Sequence, residues 1–162
     1  MIAFSPPPIT EIPLALALLL LASLAIAGVA LINAGLGRSR SAAQSMLGSL
    51  AMISIAVIVF ALAGATIADG SAGAGHAFHF SGKPWNWAGT GPIALSGLAA
   101  SPIRGQLALL FEFLALALAV LIPWGSGADR WRLTAGIASA AVLAALVFPF
   151  VAHWIWGGGW LA

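Results

Sequence analysis

Four long apolar stretches constrain the fold of this chain more than any other feature. They cover about residues 13–36, 42–68, 102–124 and 133–152. A helix needs roughly 20 apolar residues to cross the hydrocarbon core of a bilayer, and each stretch is long enough. The sequence therefore predicts an all-α, polytopic helical membrane protein with four transmembrane helices. We expect residues 1–162 to form a single transmembrane domain in contact with the lipid bilayer.

The composition excludes several other classes of protein. Hydrophobic residues make up 62% of the chain and charged residues only 6%, whereas about 25% is typical of soluble domains. With so few charges, we expect no nucleic acid as a partner. No cysteine is present, so the sequence excludes disulfides, thiol catalysis and cysteine metal sites. The first eleven residues lack Lys and Arg, which argues against a cleaved signal peptide.

The placement of the basic residues predicts how the chain crosses the membrane. Two short turns on one side carry four arginines, and the other side carries two basic residues: Arg38, Arg40, Arg130 and Arg132 against Lys83 and Arg104. Short loops rich in Lys and Arg stay in the cytoplasm. We therefore expect a multi-pass protein of the cell inner (plasma) membrane, with both termini and the loop over residues 69–101 outside.

The loop over residues 69–101 is rich in glycine and carries two histidines, His76 and His79. A metal site needs three or four ligands, and only Asp69 is near these histidines in the sequence. We therefore expect solvent-exposed loop histidines and no metal site. Residues 93–100 are a candidate for a short interfacial helix.

Small residues recur at helical spacing in three of the apolar stretches. Such stripes allow membrane helices to pack closely, and they predict a tight bundle. The stripes are Ser23, Ala27, Ala30 and Ala34 in the first helix, Ser45, Ser49 and Ala56 in the second, and Ala108, Ala115 and Ala119 in the third.

Glu112 is the most distinctive single residue, because it lies about two turns inside the third helix. A carboxylate at that depth is costly if it faces lipid, and Glu112 shares a helical face with Ala108 and Ala115. One interpretation is a polar group that lines an outer vestibule. The other is a structural carboxyl group that is neutral or hydrogen-bonded to a neighbouring helix.

The last ten residues combine His153, three tryptophans and three consecutive glycines. Trp154, Trp156 and Trp160 suit an interfacial aromatic belt. A tryptophan face also attracts a small cation such as ammonium, so a binding site is the alternative. No nucleotide loop or set of catalytic residues is found, and we expect neither an enzyme nor a bound cofactor.

Three motifs resemble ammonium transporters of the Amt/Rh family. Pro149-Phe-Val-Ala-His-Trp-Ile-Trp-Gly-Gly-Gly-Trp-Leu-Ala162 is similar to the end of the fourth helix of that family. Gly28-Val-Ala-Leu-Ile-Asn-Ala-Gly-Leu-Gly-Arg38 is similar to the end of its first helix, and Ala128-Asp-Arg-Trp-Arg132 to a cytoplasmic turn. The order and spacing of the motifs agree, and the resemblance omits only the loop over residues 70–102.

The resemblance implies a fold, a function and a set of site residues. The family has an eleven-helix fold with two inverted repeats and a conduction path between them, and this chain resembles the N-terminal portion, roughly the first four helices. The implied function is ammonium/ammonia transport, with ammonium or methylammonium as substrate and a homotrimer or a missing C-terminal half as partner. Trp156 matches the tryptophan of the outer cation-recruitment site. Phe111 falls on an aromatic of that vestibule, and Glu112 falls where the family usually has glutamine.

Two departures from the family pattern support a different function. Ala115 stands where the family has a second, gating phenylalanine, and Asn33 stands where an aromatic residue is common. The alternative is therefore a non-transporting membrane subunit or scaffold derived from the family. A third interpretation is a membrane sensor of a soluble ligand or a metal that uses the glycine- and histidine-rich loop.

Overall fold

The computed structural model describes residues 11–36, 42–69, 78–80, 83–127, 130–159 and 161. Within these residues the chain forms four long helices: α1 (Glu11–Leu36), α2 (Ala42–Ala68), α3 (Ile103–Gly127) and α4 (Leu133–Ile155). All four are long and apolar enough to cross a membrane. The prediction of a multi-pass helical membrane protein with four transmembrane helices is confirmed.

The segment between α2 and α3 contains the only β structure in the described residues. Strands β1 (Phe78–Phe80) and β2 (Lys83–Trp85) pair as a two-stranded antiparallel ribbon. Two single 3₁₀ turns follow at Ile93–Leu95 and Leu98–Ala100. The sequence predicts a short interfacial helix over residues 93–100. This prediction is wrong, because Ala94, Leu95 and Gly97 have positive φ angles that interrupt a helix.

Phe60 forms the centre of the core where α2, α3 and α4 meet. Its side chain is fully buried. Its ring meets the rings of Phe113 and Phe148 edge to face, each with centroids 5.6 Å apart, a favoured geometry for aromatic pairs. Residues that lie far apart in the chain therefore bind three helices together through one aromatic cluster.

Both α2 and α4 contain a π-helical turn near this cluster, at Phe60–Gly64 and Leu143–Val147. Pro149 follows the second turn and has no amide hydrogen to donate to the preceding turn of α4, which loosens regular α-helix there. Gly64 faces the Ala144 carbonyl and Pro149 so closely that a Cβ atom would overlap them. The two wide turns therefore pack directly against each other.

The small-residue stripes give mixed outcomes. The α2 stripe is confirmed, because Ser45, Ser49 and Ala56 are all buried. In the α1 stripe, Ser23 and Ala27 are exposed while Ala30 and Ala34 are half-buried, so only its second half packs. In the α3 stripe, Ala108 is exposed while Ala115 and Ala119 are half-buried, and large side chains of α3 also fill the space between the helices. Those buried large side chains are Leu116, Val120, Leu121 and Trp124.

The segment before the 3₁₀ turns is held against the end of α2 by backbone hydrogen bonds. Gly89 N donates to the Ile67 carbonyl at 2.7 Å, and Gly91 N donates to the Thr66 carbonyl at 3.0 Å. A Cβ atom at Gly89 would overlap the main chain of Asp69, so glycine permits this approach. The segment therefore folds back over the C-terminal end of α2. We call this end of the bundle the loop end.

Candidate functional site

A cavity of about 490 Å³ opens at the loop end of the bundle. Its walls come from four parts of the chain: the end of α2, residues 92–101, the first half of α3, and Trp156 to Gly158. Cavities of roughly 300–1,000 Å³ commonly bind small molecules. This cavity is therefore the best candidate for a functional site in the described residues.

Two carboxyl groups and two hydroxyl groups provide the polar side chains of the lining: Asp69, Glu112, Ser96 and Ser101. Glu112 is half-buried and lines the cavity from α3. A polar group that lines an outer vestibule was one of the two interpretations of this residue. Asp69 ends α2 and faces the same space. In the sequence, Asp69 was considered only as a neighbour of the loop histidines, and this convergence was not predicted.

Trp156 lies at the edge of the cavity and touches Phe111. The two ring centroids are 5.6 Å apart and the rings are inclined at 83°, which places an edge against a face. Trp156 is 52% exposed and Phe111 46%. At this separation the rings contact each other and leave no space for a cation between them. Trp156 also lines the cavity.

Phe111 itself lines a second, apolar groove of about 370 Å³ between α1 and α3, and not the first cavity. Phe111 therefore contacts the Trp156 ring from outside the cavity, while Glu112 and Trp156 both line the cavity. The three predicted site residues therefore lie close together, but Glu112 and Trp156 line the cavity whereas Phe111 lines the groove.

The three glycines after Trp156 each meet a separate steric requirement. A Cβ atom at Gly157 would lie 2.7 Å from both the Ala68 carbonyl oxygen and His153 Nδ1. Gly158 adopts a φ of 76°, in the left-handed region that glycine enters without steric cost. A Cβ atom at Gly159 would lie 2.6 Å from Trp154 Cα. The glycines thus allow the chain to turn sharply after α4 and to leave Trp156 at the cavity.

His153 is fully buried behind this turn. Within the described residues, neither ring nitrogen of His153 has a hydrogen-bond partner, and the side chain does not line the cavity. Its backbone carbonyl accepts hydrogen bonds from Gly157 N and Gly159 N, both at 3.0 Å. His153 therefore supports the turn through its backbone.

Trp154 points away from the cavity and holds the loop. Its indole nitrogen donates to the Trp87 carbonyl at 2.9 Å, and the two rings meet edge to face with centroids 5.9 Å apart. Trp85 stacks on Trp87 at 6.1 Å. The sequence interpretation missed this tryptophan cluster, although the two loop tryptophans were a signal. Trp160, expected in the same aromatic belt, lies outside the described residues.

Other aromatic and polar residues of the chain lie away from the cavity. Phe113 packs against Phe60 in the core and not in the cavity. Asn33 donates to the Leu121 carbonyl at 3.1 Å, which joins α1 to α3. His79 is exposed on β1, and His76 lies outside the described residues. In the part of the chain that the structure describes, no three His, Asp or Glu residues are grouped to hold a metal ion.

Comparison with known proteins identifies relatives along nearly the whole chain. A family model described as the Ammonium Transporter Family matches residues 14–162. An ammonium transporter of Bacillus subtilis (strain 168) is 31% identical over 137 residues, which are 83% of this chain and 32% of the relative. One of Aquifex aeolicus (strain VF5) is 28% identical over 138 residues, covering 85% and 31%. The ammonium transporter Amt2 of Archaeoglobus fulgidus is 28% identical over 137 residues, covering 84% and 26%.

The chain thus spans between 26% and 32% of the length of these curated relatives. No solved structure matches it.

Proposed function

Because the chain belongs to the Ammonium Transporter Family, we propose that it serves ammonium/ammonia transport across the membrane as the portion that contains the first four helices. In this role it supplies the outer site that recruits ammonium or methylammonium. The relatives are named ammonium transporters, which favours transport over the non-transporting subunit or scaffold.

The observation that carries this proposal is the position of Trp156 beside Glu112 at the open cavity. A cation over a tryptophan face gains about 0.5–2 kcal/mol, with the larger value where water is excluded. The Trp156 surface toward the cavity is the face on which ammonium binds. Phe111 keeps that ring in place through its edge-to-face contact.

Glu112 adds an electrostatic contribution to recruitment. A carboxylate inside a concave, low-dielectric wall raises the local concentration of cations and speeds their entry. Glu112 lines the same cavity as Trp156, so an ammonium ion attracted by the carboxylate meets the indole face.

Orientation and assembly belong to the same proposal. The loop end faces outward from the cell inner (plasma) membrane, and the arginine-bearing turns face the cytoplasm, in line with the positive-inside rule. Inverted-repeat transporters conduct along the interface between their repeats. Conduction therefore requires a further part of the protein, either a C-terminal half or the neighbours in a homotrimer.

Uptake of labelled methylammonium by cells that lack their own ammonium transporters tests the proposal. We expect Trp156→Leu to reduce uptake about fivefold or more at low substrate concentration, because the loss of about 1 kcal/mol corresponds to that factor. Trp131→Leu is the matched control, since Trp131 lies at the opposite end of the bundle and does not line the cavity. Unchanged uptake by the Trp156→Leu protein at equal membrane abundance would overturn recruitment by this ring. Correct insertion of the wild-type chain with no uptake, both alone and when it is produced together with the C-terminal half of a relative, would support the scaffold alternative.

A further inference from the structure

The groove between α1 and α3 opens toward the surrounding membrane. It measures about 370 Å³ and lies between the first halves of the two helices, residues 12–22 and 103–111. Among the described residues, every side chain that lines it is apolar except that of Arg104. We propose that this groove binds one phospholipid molecule, with an acyl chain between the helices and the lipid phosphate at Arg104.

Small side chains keep the two helices apart at the groove. At the opposite end of the bundle α1 and α3 are in close contact, because Asn33 donates to the Leu121 carbonyl at 3.1 Å and a Cβ atom at Gly125 would overlap the Asn33 side chain. Toward the loop end, the α1 side of the groove includes Ala15 and Ala22. Their methyl groups are too short to fill the space between the helices, so a channel remains.

The length of the groove matches one leaflet of a bilayer. Residues 12 to 22 rise about 15 Å along α1 at 1.5 Å per residue, which is half of a hydrocarbon core about 30 Å thick. Both helices are long and apolar enough to cross the membrane, and Leu18 of the lining is 57% exposed. Within a bilayer, apolar surfaces associate through close packing and not through exclusion of water. A groove that contacts an acyl chain on two sides therefore holds it better than a flat helix face does.

The volume of the groove distinguishes an acyl chain from a protein helix. A methylene group has about the volume of a water molecule, roughly 30 Å³, so the groove of about 370 Å³ accommodates most of one acyl chain. A helix about 10 Å in diameter fills more than roughly 1,000 Å³ over the same length. A transmembrane helix of a second copy therefore does not fit inside the groove.

Arg104 supplies the charge that a lipid headgroup requires. It is the second residue of α3 and is exposed, so it lies at the level where the phosphates of the leaflet at the loop end are found. Guanidinium groups suit phosphate oxygens, and basic residues between transmembrane helices bind lipid headgroups. A guanidinium has five N–H donors, so Arg104 can bind a phosphate while it keeps a contact within the protein. No Asp or Glu side chain that the structure describes lines the groove to repel the phosphate.

Native mass spectrometry of the purified full chain, released from detergent micelles, tests this proposal with dioleoyl phosphatidic acid as the probe. Dioleoylglycerol has the same two chains without the phosphate and serves as the ligand control. We expect one tightly bound phosphatidic acid per chain, and about fivefold weaker binding both of dioleoylglycerol by the wild-type chain and of phosphatidic acid by the Arg104→Gln protein. Ala15→Leu, which fills the groove, should weaken the binding of both lipids.

Two variants serve as matched controls. Ala17→Leu makes the same change as Ala15→Leu at an exposed position of α1 outside the groove. Arg132→Gln removes an arginine at the opposite end of the bundle. Both proteins should bind phosphatidic acid as the wild-type chain does, and circular dichroism of each variant verifies the fold.

Three outcomes would overturn the proposal. Equal binding of phosphatidic acid and dioleoylglycerol by the wild-type chain, a comparison that needs no substitution, would remove the role of the phosphate. Equal lipid binding by the Ala15→Leu and Ala17→Leu proteins would place the lipid elsewhere. If Ala15→Leu separates an oligomer into single chains while each chain binds lipid as before, the groove is an interface between copies of the chain and not a lipid site.

Discussion

Trp124 and Ser45 are joined by a hydrogen bond that connects α3 to α2 at the end of the bundle opposite the cavity. The Trp124 indole nitrogen donates to the Ser45 carbonyl at 3.2 Å, and the Trp124 side chain is only 1% exposed. Gly48 and Gly136 make room for the ring, since a Cβ atom at either would overlap it. One large side chain thus fills the space between three helices.

We expect Gly48→Ala to destabilise the protein by about 1–3 kcal/mol, because an added methyl group in a filled core forces side chains or backbone to shift. Gly28→Ala in α1 is the matched control, since a Cβ atom there would meet nothing within 4 Å. Equilibrium unfolding in mixed micelles measures both changes. Equal stability of the Gly48→Ala and Gly28→Ala proteins would contradict the packing of Trp124 against Gly48.

The backbone conformation of Ala94, next to the cavity wall, predicts a stabilising substitution. It has a φ of 53°, and a left-handed conformation costs a residue with a Cβ atom about 1–2 kcal/mol. Ala94→Gly removes this cost and should raise the melting temperature. Ala99→Gly, in the next 3₁₀ turn, should lower it by the usual entropic effect of glycine, about 0.5–1 kcal/mol. Thermal unfolding followed by circular dichroism compares the two, and a lower melting temperature for Ala94→Gly would argue against the left-handed turn.

The hydrogen bond between Trp154 and Trp87 predicts a local change in mobility. Trp154→Phe keeps an aromatic ring but removes the donor to the Trp87 carbonyl, so residues 83–92 should exchange their amide hydrogens faster. Hydrogen exchange detected by mass spectrometry measures the exchange rate of this segment. Trp131→Phe, at the other end of the bundle, should leave the exchange of this segment unchanged. The same effect from both variants would show that Trp154 has no specific role in holding the loop.

Phe111 and Phe113 should have separable roles, although only one residue lies between them. Phe113→Leu alters the contact with buried Phe60 and should reduce stability, because large-to-small changes in a core leave space that is not refilled. Phe111→Leu removes the contact with Trp156 on a half-exposed surface and should weaken methylammonium binding with little loss of stability. Unfolding and titration on the same preparations distinguish them. A loss of stability from Phe111→Leu as large as that from Phe113→Leu would contradict this division.

Several features of the candidate site were accessible from the sequence. The Trp-Gly-Gly-Gly motif and the depth of Glu112 in an apolar stretch both indicated a special role, and the structure brings Trp156 and Glu112 to one cavity. Asp69 was not accessible in this way. An aspartate before a glycine reads as a turn, and its exposure to the cavity arises only because residues 86–101 fold back over the end of α2.

The packing faces of the helices were likewise only partly predictable from the sequence. Small residues at helical spacing predicted close contacts in three helices, but only the α2 stripe is buried. Spacing shows which residues share a face of a helix and does not show what that face meets. In α3 the buried face is formed by large side chains such as Trp124, because glycines on α2 and α4 provide space for the ring.

The sequence by itself determined that this is a membrane protein with four spanning helices and that it belongs to the Ammonium Transporter Family. Both follow from local properties, since the cost of placing charge in lipid acts on each stretch separately and a motif is a local pattern. Only the tertiary structure decided that Phe111 contacts Trp156 from outside the cavity, that Trp154 holds the loop, and that Asp69 and Glu112 line the same cavity. These relationships join residues far apart in the chain, and the packing of the helices and of the returning loop sets them.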